Sequence, residues 1–196
     1  MPNRDDAPVE KKFLEDIAAQ MGVDPIQALV RLFLDNKTSP AAIFFGMSED
    51  DVKAALRTPW VSFGSDSGAV TPAARASQAG AHPRAYGTFP RILGHYVRDE
   101  KLFSLEEAVR RMTSQAADRA HLQDRGVLRP GMRADLVVFD AATVADRATF
   151  EDPHQFATGI SDVIVNGVAV LRDSQMTQAL PGRVLRGKGY SVGSTQ

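Results

Sequence analysis

The sequence contains no cysteine, which excludes disulfide bonds, thiolate catalysis and every zinc motif that uses a cysteine ligand. It also has no run of about 18 apolar residues, the length that a membrane-spanning helix needs. No basic stripe is present either, because lysine and arginine are scattered along the chain and the formal net charge is −1. These absences disfavour a nucleic-acid-binding protein and a protein that binds a membrane surface.

What remains is an ordinary globular composition, with 43% hydrophobic and 24% charged residues among 196. This length is enough for one sizeable domain or two small ones. Residues 1–12 are polar and acidic, without the apolar segment of a signal peptide. We therefore expect a soluble chain that is not exported, which places it in the cytoplasm.

The first half of the chain alternates helical patterns with short apolar runs. One helix stops at Gly22, and Asp24 followed by Pro25 marks the start of the next. The runs 41–45 and 60–63 are too short for helices and are predicted to be strands, with a helix starting near Ser48 between them. Such alternation is typical of α/β proteins whose parallel strands are buried on both faces.

The pattern changes after about residue 122. Before it, one helix passes through Leu93 and another opens with a capping box from Ser104 to Glu107. Beyond it lie turns and short strands, and Asn166-Gly167 between two β-branched runs predicts a hairpin. We therefore divide the chain into an α/β region, residues 1–122, and a small β module, residues 123–196.

Asp66 is the most informative candidate for chemistry. It follows an apolar run within the sequence GSDSG, and the carboxyl ends of strands are where α/β barrels carry their active sites. A carboxylate there can bind a divalent metal and accept a proton from a water that attacks an amide. It can equally cap the turn, and the five residues taken alone favour that structural role.

A second candidate is the stretch HPRAYGTF at residues 82–89. Arg84 could bind a carboxylate through two parallel N–H donors, with His82 beside it. The alternative is a solvated arginine next to a histidine that caps the following helix. The other histidines, His95, His121 and His154, have no metal-ligand spacing and are interpreted as structural.

Several motifs in a fixed order resemble the N-acyl-D-amino-acid deacylases, a branch of the amidohydrolases, over nearly the whole chain from about residue 9. They are Gly64-Ser65-Asp66, residues 82–89, residues 93–98 (LGHYVR), residues 124–140 (DRGVLRPGMRADLVVFD), residues 148–151 (ATFE), Gly159-Ile160, residues 165–167 (VNG) and residues 181–183 (PGR).

This resemblance implies a TIM-like barrel with a small β-sandwich and zinc-dependent hydrolysis of the acyl amide of an N-acyl-D-amino acid. Asp66 matches the family's aspartate after the last barrel strand, which serves as a metal ligand and as general acid and base. Arg84, and with it His82, matches a region that contacts the substrate carboxylate.

The chain also departs from the family. The family's His-x-His pair, its cysteine ligand and its later histidine ligands lie upstream of the matching region, and residues 1–63 offer no replacement. Asp66 is thus the sole predicted metal ligand, and zinc binding is expected to be incomplete in this chain alone. A barrel needs about 250 residues, so the resemblance implies the C-terminal part of the barrel and an incomplete sandwich.

Three interpretations follow. The chain is part of a deacylase that becomes active when a missing N-terminal half is supplied; it is an inactive fragment that associates with itself or a partner; or it is an amidohydrolase that acts on another amide. Exposed sheet edges and apolar helix faces are expected in either of the first two cases. Residues 82–89 argue against the third.

Overall fold

A computed structural model of the chain describes residue 9 and residues 11–35, 42–68 and 82–186. In these ranges the helices are α1 (Leu14–Met21), α2 (Pro25–Asp35), α3 (Glu49–Arg57), α4 (Arg84–Arg91), which continues as a π-helix (Ile92–Asp99), α5 (Leu105–Met112) and α6 (Ser114–Arg119). The strands are β1 (Leu136–Phe139), β2 (Ile160–Val165), β3 (Val168–Arg172) and β4 (Gln175–Met176), in one antiparallel sheet ordered β1-β2-β3-β4.

The predicted helix ends are confirmed. Gly22 closes α1 in the left-handed conformation (φ 65°), which costs glycine little. The Asp24 side chain accepts hydrogen bonds from the backbone N–H groups of Ile26 and Gln27 at the start of α2. Ser48 and Ser104 cap α3 and α5 in the same way.

No helix among the described residues is long and apolar enough to cross a membrane by itself. The pair α1 and α2 reaches that length and composition together, across a bend of 86°.

The strands predicted at 41–45 and 60–63 are wrong for the residues that the structure describes. Residues 42–48 and 61–66 pair with no strand there, and the described strands all belong to the antiparallel sheet. A parallel strand is stabilised by hydrogen bonds to neighbouring strands, and no described segment supplies them here. Phe44 is consequently 91% exposed and Trp60 69% exposed. The mixed α/β composition is confirmed, without a parallel sheet in the described ranges.

The predicted hairpin is confirmed. Asn166 (φ 49°) and Gly167 (φ 80°) form the two-residue connection between β2 and β3, where both positions need positive φ. The Asp135 carboxylate accepts a hydrogen bond from the backbone N–H of Asn166 at 2.8 Å, which ties the turn to the segment before β1. Sequence reasoning missed a second such turn, Asp173-Ser174, because this pair lacks the glycine that makes the signal strong.

The hydrophobic core lies between the helices and the start of the β module. Val144 is fully buried in one cluster with Leu56, Leu93, Tyr96 and residues of α5. The backbone approaches it so closely that a Cβ on Gly94 would lie 2.5 Å from the Val144 carbonyl oxygen. This core spans the boundary predicted at residues 122 and 123, so the division into two domains stays a prediction.

The π-helix begins two residues after Pro90. Proline has no backbone N–H and interrupts the α-helical hydrogen-bond pattern. The wider pattern that follows joins residues five apart, as in the bond from the Glu100 N–H to the His95 carbonyl oxygen at 2.9 Å. Residues five apart therefore lie on the same side of this segment.

Replacing Gly94 with alanine tests the close contact with Val144. Alanine would stabilise an exposed helix, but here its Cβ would collide with the Val144 carbonyl oxygen. We expect Gly94→Ala to lower the free energy of unfolding by about 1–3 kcal/mol, measured by urea denaturation. Gly182→Ala, where no atom lies within 4 Å of an added Cβ, is the control and should be neutral. Equal stability of the two variants would contradict the contact.

Candidate functional site

Asp66 and Arg84 are brought together by the fold. Arg84 opens helix α4, and its Nη2 lies 3.2 Å from Oδ2 of Asp66. Asp66 has a left-handed backbone (φ 47°), and its side chain is 88% exposed. A carboxylate can accept a proton from a water molecule, and a guanidinium carries five N–H donors with which it can bind an anion.

His82 supports the start of α4. Its Nδ1 accepts a hydrogen bond from the backbone N–H of Arg84 at 3.1 Å, which is the capping role considered from sequence. Burial and then the positive charge of Arg84 lower the pKa of His82 below its ordinary value. The imidazole is therefore neutral at pH 7. Because Nδ1 accepts a hydrogen bond, Nε2 carries the hydrogen and can donate a hydrogen bond to a ligand.

Aromatic side chains surround this group. The ring of His82 packs edge-on against Phe150 at 5.1 Å between centroids, and Phe150 in turn meets Phe45 at 4.9 Å. On α4, Tyr86 packs against Phe156 at 5.8 Å. These contacts place the β module directly beside the candidate site.

The segment that leads to Asp66 is fixed from one side by α5 and α6. Side chains of these helices donate hydrogen bonds to it, although it pairs with no strand in the part of the chain that the structure describes. The bonds join Arg110 to the Pro59 carbonyl oxygen (3.3 Å), Arg119 to the Trp60 carbonyl oxygen (2.5 Å) and Gln115 to the Ser62 hydroxyl (2.9 Å).

Arg111 is the buried member of this set, at 2% exposure. Its Nη1 donates to the Leu56 carbonyl oxygen at 2.6 Å and its Nε to Glu107 at 2.8 Å. The guanidinium also lies over the rings of Phe63 and Phe103, at 5.4 and 5.0 Å from their centroids. Sequence reasoning identified only the capping box of this helix and missed Arg111, although Glu107 and Arg111 have the i, i+4 spacing of an ion pair.

The described residues around Asp66 do not form a zinc site by themselves. Zinc takes four ligands, or three and a water, from histidine, cysteine and carboxylate side chains. Among the described residues, no second and third ligand of these types gather with Asp66. Its partner there is the cation Arg84.

A different group could hold a metal ion, and sequence reasoning missed it. Ligand atoms of Glu49, His95 and Glu100 lie within 4.8 Å of one another. His95 and Glu100 are five residues apart, which the π-helix places together and an α-helical search at spacing four overlooks. His95 is therefore part of a polar group with Glu49 and Glu100 rather than an isolated structural histidine.

The carboxylates of that group are already engaged. Lys53 lies 2.7 Å from Glu100 and lowers the pKa of that carboxyl, while the Tyr96 hydroxyl donates to Glu49 at 2.8 Å. Burial, and then this hydrogen bond, raises the pKa of Tyr96. A metal would have to displace Lys53, so we interpret the group as an ion-pair network that joins α3 to the π-helix.

The two remaining histidines are His121 and His154. His121 follows the end of α6 with a left-handed backbone (φ 56°). His154 lies in an irregular segment, edge-on to Tyr86 at 6.0 Å between ring centroids, and its Nδ1 is buried without a hydrogen-bond partner among the described residues. Neither joins a group of metal ligands in the described ranges.

With this arrangement established, comparison with known proteins identifies the class. A model of the amidohydrolase family matches residues 7–171, which is most of the chain, and the chain belongs to that family. Among curated relatives, a D-aminoacylase of Alcaligenes xylosoxydans xylosoxydans is 44% identical over 173 residues, covering 88% of this chain and 33% of the relative. An N-acyl-D-glutamate deacylase of the same organism is 40% identical over 184 residues, covering 93% and 35%.

Solved structures agree. A D-aminoacylase mutant in complex with copper chloride superposes with a TM-score of 0.76 at 45% identity, covering 89% of this chain and 34% of that one. An N-acyl-D-glutamate deacylase from Bordetella bronchiseptica, complexed with zinc and a phosphonate inhibitor, gives 0.71 at 41% identity, covering 86% and 34%. The resemblance to the deacylase branch is confirmed, and the chain spans about one third of the length of these relatives.

The ion pairs of Glu107 lead to a pH-dependent prediction. Hydrogen bonds from Arg110 and then Arg111 lower the pKa of Glu107 to about 2. Because the folded-state pKa is depressed, the stabilisation is present above the ordinary value of 4.5 and is lost as the pH falls towards 2. Glu107→Gln should therefore unfold at lower urea concentration than the wild type at pH 7, with the difference shrinking below pH 4.5. Glu15→Gln, an equal change of charge on the exposed first turn of α1, is the control; a pH-independent difference for Glu107→Gln would contradict the assignment.

Proposed function

We propose that this chain is the C-terminal part of a zinc-dependent hydrolase that cleaves the amide bond of N-acyl-D-amino acids, releasing a D-amino acid and a carboxylate. The observation that carries the proposal is the pairing of the exposed Asp66 carboxylate with Arg84. It joins the two groups that such a reaction needs, one for proton transfer and one for binding the carboxylate of the substrate. The similarity to enzymes named as deacylases supports the choice of substrate.

Each side chain has a role in this proposal. Asp66 accepts a proton from the attacking water and returns it to the departing amine. Arg84 turns its remaining donors towards the substrate carboxylate, which then shares the guanidinium with Asp66. His82 caps the helix that carries Arg84, and its Nε2–H is available to the substrate, which makes it a second and weaker contact.

The architecture proposed for the whole enzyme is a TIM-like barrel with a β-sandwich. Residues 1–122 would form the C-terminal part of the barrel, and residues 123–196 would form the C-terminal part of the sandwich. The further ligands needed for zinc would come from the remaining portion, either in a longer chain or in a separately encoded one. Asp66 would contribute one ligand to that completed site.

Exposed apolar side chains support such a missing portion. Phe44 is 91% exposed, Met47 78% and Trp60 69%, all in the segments predicted from sequence to be strands or to adjoin them. Helix α2 adds an apolar face with Ile26 74% and Leu34 78% exposed. A surface of this kind favours association over an independent monomer.

The alternative from another class is a catalytically inactive fragment that uses the same surface for association with itself or a partner. The observation in its favour is that the described residues give Asp66 no companion ligands. A different amide substrate is a further alternative, supported by 28% identity over 164 residues to a dihydroorotase of Lactobacillus acidophilus.

The decisive experiment measures zinc content and hydrolysis of a panel of N-acetyl-D-amino acids, by the purified chain alone and after co-expression with the N-terminal portion of a related deacylase. We expect zinc and activity only in the complex, and Asp66→Asn in that complex to reduce the rate by at least about 100-fold without loss of assembly. Failure of the assembled complex to hydrolyse any member of the panel would favour the inactive fragment, and near-normal turnover by Asp66→Asn would remove Asp66 from the reaction.

Arg84→Lys tests the carboxylate contact. Lysine keeps the charge but loses the planar pair of donors, so the Michaelis constant in the active complex should rise about tenfold while the maximal rate changes less. Arg183→Lys, a substitution in the exposed region after the sheet, serves as a matched control. An unchanged Michaelis constant for Arg84→Lys would contradict the contact.

A further inference from the structure

We infer that Arg111 is a positioning residue that sets the place of Asp66 through Phe63. This inference rests on the proposed function in one respect, namely that Asp66 is the group whose position matters for the reaction. Phe63 lies three residues before Asp66, and Arg111 is the buried charge that contacts its ring.

The contacts of Arg111 meet the end of α3 and the segment that follows it. Nη1 binds the Leu56 carbonyl oxygen in the last turn of α3, and the guanidinium face covers Phe63. The Phe63 ring is in turn stacked on Phe103, with 5.9 Å between centroids and 20° between planes. The chain is therefore held at both Leu56 and Phe63 by one side chain.

Only arginine supplies this combination. Its planar fork donates to Leu56 and Glu107 in different directions while its face lies over two rings, whereas a lysine ammonium is a compact point charge without that geometry. Burial of a charge is costly unless it is paired, and Glu107 supplies the opposite charge. An apolar residue of equal volume would fill the space but could not bind the Leu56 carbonyl oxygen.

The contacts of Arg111 affect the site through the segment that precedes Asp66. In the described ranges, residues 61–66 have no strand pairing, so the usual backbone restraint on the residues before Asp66 is replaced by side-chain contacts. Most of these side chains lie at the surface, and Arg111 lies in the core. A small displacement of a catalytic carboxylate strongly lowers the reaction rate even when the fold is retained.

The first test is hydrogen–deuterium exchange of the whole chain, compared between wild type, Arg111→Lys and the control Arg129→Lys. Arg129 is an exposed arginine outside α5 and α6. We expect the amides of Thr58 and Val61, which donate to the carbonyl oxygens of Ala55 and Thr58, to exchange about tenfold faster in Arg111→Lys, with the β2–β3 hairpin unchanged and the control within about twofold of wild type. Unchanged exchange at Thr58 and Val61 would overturn the inference.

The second test uses the active complex and a double-mutant cycle. Arg111→Lys and Phe63→Leu should each lower kcat about tenfold while KM stays within about twofold. If Arg111 acts through Phe63, the double variant loses no more than the worse single one. Multiplied losses, or equal changes in kcat and KM, would count against the inference.

If Arg111→Lys loses protection in the β2–β3 hairpin as well, it has misfolded, and Phe63→Leu alone decides: a normal kcat overturns the inference and a tenfold loss supports it. If the wild-type complex shows no hydrolysis, the proposed function fails, and the exchange of the Thr58 and Val61 amides still decides whether Arg111 fixes the segment.

Discussion

The contact between Val144 and the π-helix is the constraint on which the arrangement of the two parts depends. Val144 is completely buried, and the backbone at Gly94 and Gly159 approaches it more closely than any side chain would allow. Arg98 adds a hydrogen bond of 2.6 Å to the Val144 carbonyl oxygen. This junction fixes the β module against the helices, and with it the ring of Phe150 against His82.

The two sides of the candidate site are therefore stabilised by different contacts. Its Arg84 side is anchored by helix α4 and by aromatic packing from the β module. Its Asp66 side is fixed by side chains of α5 and α6, of which Arg111 is the most buried. The Asp66 segment also presents exposed apolar side chains such as Trp60. Side-chain contacts and exposed apolar surface thus occur together in the segment before the principal carboxylate.

Local signals in the sequence predicted local structure well. The caps at Asp24 and Ser104 and the turn at Asn166 depend on neighbouring residues, and all are confirmed. The strands at 41–45 and 60–63 failed because strand pairing depends on distant partners, and apolar character alone does not supply them. The contact between Asp66 and Arg84 was not predicted, because their 18-residue spacing carries no geometric information.

The features that sequence reasoning missed share a cause. The Glu49, His95 and Glu100 group depends on the π-helix, which brings residues five apart to the same side. A search at α-helical spacing does not find such a pair. The buried position of Arg111 depends on two phenylalanine rings from different segments. Both are tertiary properties of residues that, along the chain, have the composition of an ordinary exposed helix face.

The π-helix has a consequence for how this chain can change over evolutionary time. Each residue of an α-helix turns the chain by about 100°, and the π register accommodates about one residue more per turn. Deleting a single residue between Gly94 and Arg98 would keep both on the same side of the helix only if the segment returned to the narrower α-helical register at the same time. If the wider register persisted, Arg98 would turn away from Val144 while Gly94 stayed against it. Insertions and deletions in this segment are thus expected to be coupled to a change of helical register among related chains, even where its side chains vary.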